Sequence, residues 1–378
     1  MSSIILLYFG TIELCGALRL PGRFTDAALF TVFCSQMLYA TTAHVANDWL
    51  AVGLSALFLG SLASFVGKPT RRSALSTASW LAAGLLTKAY FLVFALPALA
   101  ATATLLWHGR TRMKTALAGA LIVLAPAGPW YARNLILYKN VGGTQEAFDG
   151  VGATQTLAAA LQIKWLPTVG FLARGSLWTG NNSFTSFSRI TLDIVLVLLL
   201  LGLAAWVRSG RAIQPPERIA LAAVVLFSMA VGYASCAAFA HTQGETAGAS
   251  PWYTQVLLAP VIALAFLGLA RARAPGAALA IGTVALWTWV LIATWTVKLF
   301  PFYSGGGAAP VRFHDMWNWY RHGAAAHMRD LSLLALAPAP CLYAGLVVSV
   351  ALAILLSTAV IRGLILVKCP PQQRSLSR

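Results

Sequence analysis

"NDWLAVGLSALFLGSLASFV", residues 47–66, carries its last charge at Asp48 and then runs for eighteen apolar or small residues. At 1.5 Å per residue such a run, wound as a helix, matches a hydrocarbon core of roughly 30 Å. Every backbone N–H and C=O in lipid must find a partner inside its own segment, so a run of this kind is expected to be a helix. A barrel strand would instead alternate apolar and polar residues over about ten positions, and that alternation is absent. The stretches 190–207 and 276–297 repeat the pattern. Across all 378 residues the mean hydropathy is +0.75 and only 10% of side chains are charged, which excludes an ordinary soluble domain. The expected fold class is all-α, a polytopic transmembrane helical bundle.

Extending this reading places spans near 3–18, 25–43, 49–66, 74–87, 89–107, 115–130, 190–207, 219–240, 253–270, 276–297 and 338–361, about eleven in all. The net charge of +17 would suggest nucleic acid in a soluble protein. Here the basic residues fall in alternate gaps. Arg19 and Arg23 open the series, followed by Lys68, Arg71 and Arg72, then Arg110, Arg112 and Lys114. Arg208, Arg211 and Arg218, the pair Arg271 and Arg273, and a tail from Arg362 complete it, holding 17 of the 27 Lys and Arg residues. Positive charge accumulates on cytoplasmic loops, so these gaps are expected to face the cytoplasm and no nucleic-acid partner is expected. The N-terminus then lies outside and the C-terminus inside.

On this division residues 1–361 form one membrane domain, with outer loops at 131–189 and 298–337, and 362–378 form a basic cytoplasmic tail. Within the second loop, 311–329 reads as a short helix lying on the outer surface, because Trp317, Trp319 and Tyr320 suit the interface. No basic region precedes the first span, so a cleaved signal peptide is not expected. Cys15, Cys34, Cys236, Cys341 and Cys369 are scattered, with no CxxC pair or disulfide framework. The Ala- and Arg-rich, lysine-poor composition points to a bacterial inner membrane.

Three polar places interrupt the apolar pattern on the expected outer side. Residues 74–107 carry a single charge, Lys88, in a run too long for one span. Splitting the run there leaves Lys88 at or below the interface, where an ionisable group is a functional candidate by default. The simpler account is a lysine snorkelling to headgroups. Asp48, preceded by Asn47, opens a span, where Asn or Asp also serves as a helix cap. The third place is "PAGPWYARNLILYKN", 126–140, in which Arg133 follows Trp130 and Tyr131. Arginine there binds a phosphate bidentately or anchors a helix end among interfacial rings.

Taken in order, these segments resemble the integral-membrane glycosyltransferases of the GT-C type, similar to the dolichyl-phosphate-mannose–protein mannosyltransferases and their bacterial relatives. The resemblance rests on "HVANDWLAVGLSALFL" at 44–59, "GLLTKAYFLVFALPAL" at 84–99, "PWYARNLILYKN" at 129–140 and "PWYTQVLLAPVIALAFLGLA" at 251–270. It implies a polyprenyl-phosphate-linked sugar donor, an acceptor hydroxyl on a protein, lipid or glycan, and transfer with inversion on the outer face. Carried over by position, Asp48 is the general base. Asn47, Lys88, Tyr131, Arg133, Asn134, Trp252 and Tyr253 bind substrate or the lipid phosphate.

The chain departs from the family pattern at Ala89 and Lys139, where glycines are usual. The family's first catalytic acid precedes the residues matched here, so the expectation is a fragment, a wrongly started frame or an inactive relative. Glu245 and Asp315 are weaker candidates for a second carboxylate. No cofactor is implied. His314, His322 and His327 stand near Asp315, but their spacings of eight and five match no metal-ligand motif, so no metal is expected. The competing readings are a transporter or flippase of a lipid-linked or small anionic substrate, and a non-catalytic membrane subunit.

Overall fold

The computed structural model describes residues 2–43, 48–142, 151–178, 187–244, 250–300 and 313–366. Among these every regular element is a helix. The chain opens with α1 (Ser2–Ala17), α2 (Gly22–Cys34), α3 (Gln36–Ala43), α4 (Asp48–Gly67), α5 (Arg71–Thr87), α6 (Phe91–Trp107) and α7 (Met113–Tyr138). After α8 (Ala153–Gln162) and α9 (Trp165–Leu177) come α10 (Arg189–Arg208) and α11 (Pro215–His241). A 3₁₀ segment, Pro251–Leu257, leads into α12 (Leu258–Arg271), and α13 (Arg273–Ala293) continues through a π-helical turn, Thr294–Leu299. Last come α14 (Phe313–Ala335) and α15 (Ala339–Leu366).

Seven described helices are long and apolar enough to cross a membrane: α4, α7, α10, α11, α13, α15, and α12 together with its 3₁₀ lead. The chain is thus an all-α helical membrane protein, with fewer spans meeting that test than the eleven expected. The shortfall has local causes. Helices α1 and α6 are apolar but only 16 and 17 residues long. The expected span 25–43 is broken at Ser35, which stands extended between α2 and α3. Helix α5 starts three residues early, taking in Arg71 and Arg72.

Two expected outer loops also contain more structure than was read into them. Helix α7 runs to Tyr138 through Pro126 and Pro129, eight residues past the expected end of its span. Its C-cap, Lys139, adopts the left-handed conformation at φ 54°. Helices α8 and α9 meet at a 93° bend and together are apolar enough to form a broken span or a re-entrant hairpin. Helix α14 extends six residues beyond the surface helix expected at 311–329.

Helix α4 is buried along nearly its whole length and organises two apolar clusters. One joins it to α1, α2, α10, α12 and α13; the other joins it to α5, α6, α11 and the 3₁₀ segment. Against α1 the backbones nearly touch. A Cβ on Gly10 would stand 2.3 Å from the Leu57 nitrogen, so only glycine allows this approach. The Ser3 hydroxyl donates to the Trp49 carbonyl, fixing the start of α4 to the start of α1. Position 48 is therefore held by a stiff helix pair. Helices α7 and α15, by contrast, bury little of their apolar length, as lipid-facing helices do.

Candidate functional site

Lys88 ends α5. Its backbone is extended (φ −150°, ψ 135°), and its N–H donates to the Gly84 carbonyl. Tyr90 then starts α6, and the Phe91 ring folds back over Gly84, where a Cβ would stand 2.1 Å from ring carbon Cδ1. Glycine at 84 is thus what lets the α5–α6 hairpin close. The closure projects Lys88 toward the start of α4.

There the Lys88 Nζ lies 3.2 Å from Asp48 Oδ2, with the two side chains 23% and 10% exposed. Two residues singled out forty positions apart in the sequence therefore meet as a largely buried ion pair. Asp48 Oδ1 is buried and has no hydrogen-bond partner among the described residues. A carboxylate serving only as a helix cap would spend that oxygen on a backbone N–H. Leaving a buried acceptor unmet is costly, and such groups concentrate where a ligand or water completes them.

Aromatic rings wall the pair. Lys88 Nζ stands 5.7 Å from the centroid of the Tyr253 ring, a cation–π distance. Tyr90 meets Tyr253 edge-on at 6.3 Å and Phe227 at 5.3 Å, and Trp252 lies 5.9 Å from Tyr253 with its own ring partly exposed. The 3₁₀ segment holding Tyr253 is tied to α4 by the Ser55 hydroxyl, which donates to the Val256 carbonyl at 3.2 Å. It is tied to α9 by Gln255 Nε2, which donates to the Ser176 carbonyl at 2.9 Å. Gln255 Oε1 and Thr41 Oγ1 are also buried without partners among the described residues, on elements packed against one another. Neither was singled out in the sequence. A polar residue inside an apolar run was the available signal.

Tyr131, on α7, donates its hydroxyl to the Leu85 carbonyl at 2.8 Å, one turn below Lys88. Below it, α5, α6 and α7 enclose an apolar groove of about 550 Å³, lined by Leu81, Leu85, Leu99, Val123 and Tyr131 among others. Asn134 is buried and bonds the Val141 carbonyl through Nδ2 at 3.4 Å, closing the end of α7. Arg133 is exposed and stacks over Trp130 at 5.5 Å, with no carboxylate in ion-pair range among the described residues. No described contact joins Arg133 to the Asp48–Lys88 pair.

Asn47 and Glu245 lie outside the described residues, as does the side chain of Asp315, whose backbone falls in α14. Among the described residues no three His, Cys, Asp or Glu side chains are grouped to hold a metal. Compared with known protein families, curated proteins and solved structures, the chain matches none.

Proposed function

We propose that the chain is an integral-membrane glycosyltransferase of the GT-C type, with about eleven spans counting its short and broken helices. It sits in a bacterial inner membrane, N-terminus outside and C-terminus cytoplasmic, and moves a sugar from a polyprenyl phosphate to an acceptor hydroxyl on the outer face. The observation that carries this reading is the Asp48–Lys88 pair, with its unmet carboxylate oxygen, at the ends of two neighbouring helices.

In the proposed step the acceptor oxygen attacks the anomeric carbon from the face opposite the phosphate. Its proton passes to the Asp48 carboxylate, a general-base role. The bond from the anomeric carbon to the phosphate oxygen breaks, and its electron pair leaves with polyprenyl phosphate. The charge that develops there faces Lys88. Because a phosphate competes with Asp48 for the same ammonium, donor binding loosens the ion pair and frees the carboxylate. The apolar groove beside Tyr131 takes the polyprenyl chain, and the unmet acceptors of Gln255 and Thr41 suit a hydroxyl-rich sugar. Arg133, stacked on Trp130, is assigned to anchoring.

The test is release of polyprenyl phosphate from polyprenyl-phosphomannose by the full chain in proteoliposomes. Asp48→Asn should lower the rate by about 10²–10⁴-fold while donor binding persists. An undiminished rate in Asp48→Asn, or no binding of the donor, would overturn the reading. The 93° break between α8 and α9 favours a transporter instead, since broken helices line transport sites. Movement of the intact donor across the bilayer, without release of polyprenyl phosphate, would decide for it.

A further inference from the structure

At the far ends of α4 and α5, some 25–30 Å from the Asp48–Lys88 pair at 1.5 Å per helical residue, a cavity of about 890 Å³ opens between α1, α4, α5 and α11. Arg19, Lys68 and Arg110 line it, and none has a carboxylate in ion-pair range among the described residues. Two carboxylates also reach its wall. Glu217 is already matched, by Arg271 at 2.6 Å and by the Trp206 indole N–H at 2.8 Å. Glu13 accepts from the Ser61 hydroxyl at 3.3 Å, and among the described residues no cation is in ion-pair range of it. The cavity is left with a surplus of about two positive charges, close to what a phosphomonoester carries in reverse at neutral pH.

The start of α5 forms part of the wall at Thr70 and Ser73, whose N–H groups each bond the other's hydroxyl in a capping box. Arg19 is the more telling residue. The Leu20 N–H donates to the Cys15 carbonyl and the Arg19 N–H to the Gly16 carbonyl, which is the bonding of a Schellman cap with Arg19 at its left-handed position. Its φ is +56°, where glycine is the usual residue and any other is strained by about 1–2 kcal/mol. Lys139, Gln243, Arg273 and Leu336 share that conformation, so it is the place of Arg19 on the cavity wall, beside Lys68 and Arg110, that singles it out.

We propose that this cavity is a binding site for a phosphomonoester, held by Arg19, Lys68 and Arg110 at the end of the bundle opposite the candidate active site. The inference does not depend on the glycosyltransferase reading. Apolar walls at Leu18, Ala63 and Val66 suit a lipid phosphate, whose glycerol or prenyl portion would lie against them. A soluble phosphate ester shares the headgroup chemistry but leaves those walls unused.

The experiment measures binding of dioctanoyl phosphatidic acid to the full chain in dodecyl maltoside. It is run with and without Lys88→Met, so that any binding at the other end is read separately. Dioctanoyl phosphatidylglycerol, a phosphodiester, and glycerol 3-phosphate, a soluble monoester, are the comparison ligands. Arg19→Gly, Lys68→Gln and Arg110→Gln should each weaken phosphatidic acid roughly ten- to hundredfold, as expected for loss of one charge-assisted contact. Arg19→Gly is the sharper variant, because it should raise thermal stability while it lowers affinity. Affinity for glycerol 3-phosphate equal to that for phosphatidic acid assigns the site to a soluble ester; preference for phosphatidic acid assigns it to lipid. Binding insensitive to all three substitutions, or no tighter for the monoester than for the diester, would overturn the proposal.

Discussion

A double-mutant cycle on Asp48 and Lys88 separates an ion pair that holds the fold from two charges that merely approach. At 3.2 Å the Coulomb attraction is about 1 kcal/mol in water and about 5 kcal/mol at an effective dielectric constant near 20. Both side chains are less than a quarter exposed, so screening is partial. Exposed pairs contribute about 0–1 kcal/mol, whereas removing one partner of a buried pair costs about 3–5 kcal/mol. Lys88→Met leaves Asp48 with both oxygens unmet in a nearly closed site and should lose about 3–5 kcal/mol, the upper limit being set by protonation of the stranded carboxylate. Asp48→Asn leaves Lys88 more exposed and still over the Tyr253 ring, and should lose only about 1–2 kcal/mol.

Combining the two removes both charges, so the double variant should recover about 2–3 kcal/mol relative to the sum of the single losses. Unfolding in dodecyl sulfate and dodecyl maltoside mixtures, followed by tryptophan fluorescence, gives the four free energies. Farnesyl phosphate, added as an anionic lipid probe in a Lys68→Gln, Arg110→Gln background that disables the second cavity, should raise the midpoint when Lys88 is present and leave that of Lys88→Met unchanged. Single losses that add to within about 0.5 kcal/mol would show that the pair is not a unit. A farnesyl phosphate shift that survives Lys88→Met would remove Lys88 from the phosphate site.

Three further outcomes follow from local geometry. Gly84→Ala drives a Cβ into the Phe91 ring and should cost about 1–3 kcal/mol by overpacking, together with affinity for farnesyl phosphate; Gly128→Ala, with nothing within 4 Å, should be neutral or slightly stabilising in the same unfolding assay. Lys139→Gly relieves a left-handed C-cap and should raise stability by about 1 kcal/mol, read as a shift in the same unfolding midpoint. Cysteines introduced at Arg72, Lys114 and Arg273 should be labelled from the cytoplasmic side and one at Gly150 from the outer side; cytoplasmic labelling at Gly150 would refute the span order.

Legibility of the fold from sequence followed the burial of each helix. Helix α4 was evident because it is apolar on every face, and a helix buried all round leaves no amphipathic pattern to interpret. Residues 25–43 are apolar enough to suggest one span, yet Ser35 breaks them, and its hydroxyl donates to the Ser176 carbonyl 141 positions away. No local pattern announces such a partner. The same holds for α8 and α9, whose Gly-, Thr- and aromatic-rich flanks resemble an outer loop. Helix α9 is anchored from outside itself: Trp178, its C-cap, donates to Thr294, and Arg174 pairs with Asp193. For the site, a lone charge in a long apolar run was enough to single out Lys88. Asp48 was equally visible, but the carboxylate's unmet oxygen and the ring of Tyr90 depend on how the α5–α6 hairpin closes. Gly84 and Phe91, seven positions apart, were the trace of that closure, and it becomes readable only once the hairpin is known.

The two polar regions divide the molecule. Each is built on α4 and α5, which carry Asp48 and Lys88 at one end and Lys68, Thr70 and Ser73 at the other. Between them lie Phe58, Leu62, Phe65 and Leu81, with the Ser61 and Ser76 hydroxyls bonded to each other at 3.1 Å among them. The backbone contact of α1 with α4 at Gly10 leaves no slack for these helices to slide, because any shift along the axis would bring a Cβ against a backbone atom. The rigid α1–α4 pair therefore fixes the backbone that carries Asp48. Placing a larger residue at Gly10 should abolish folding rather than alter the rate of a conformational cycle.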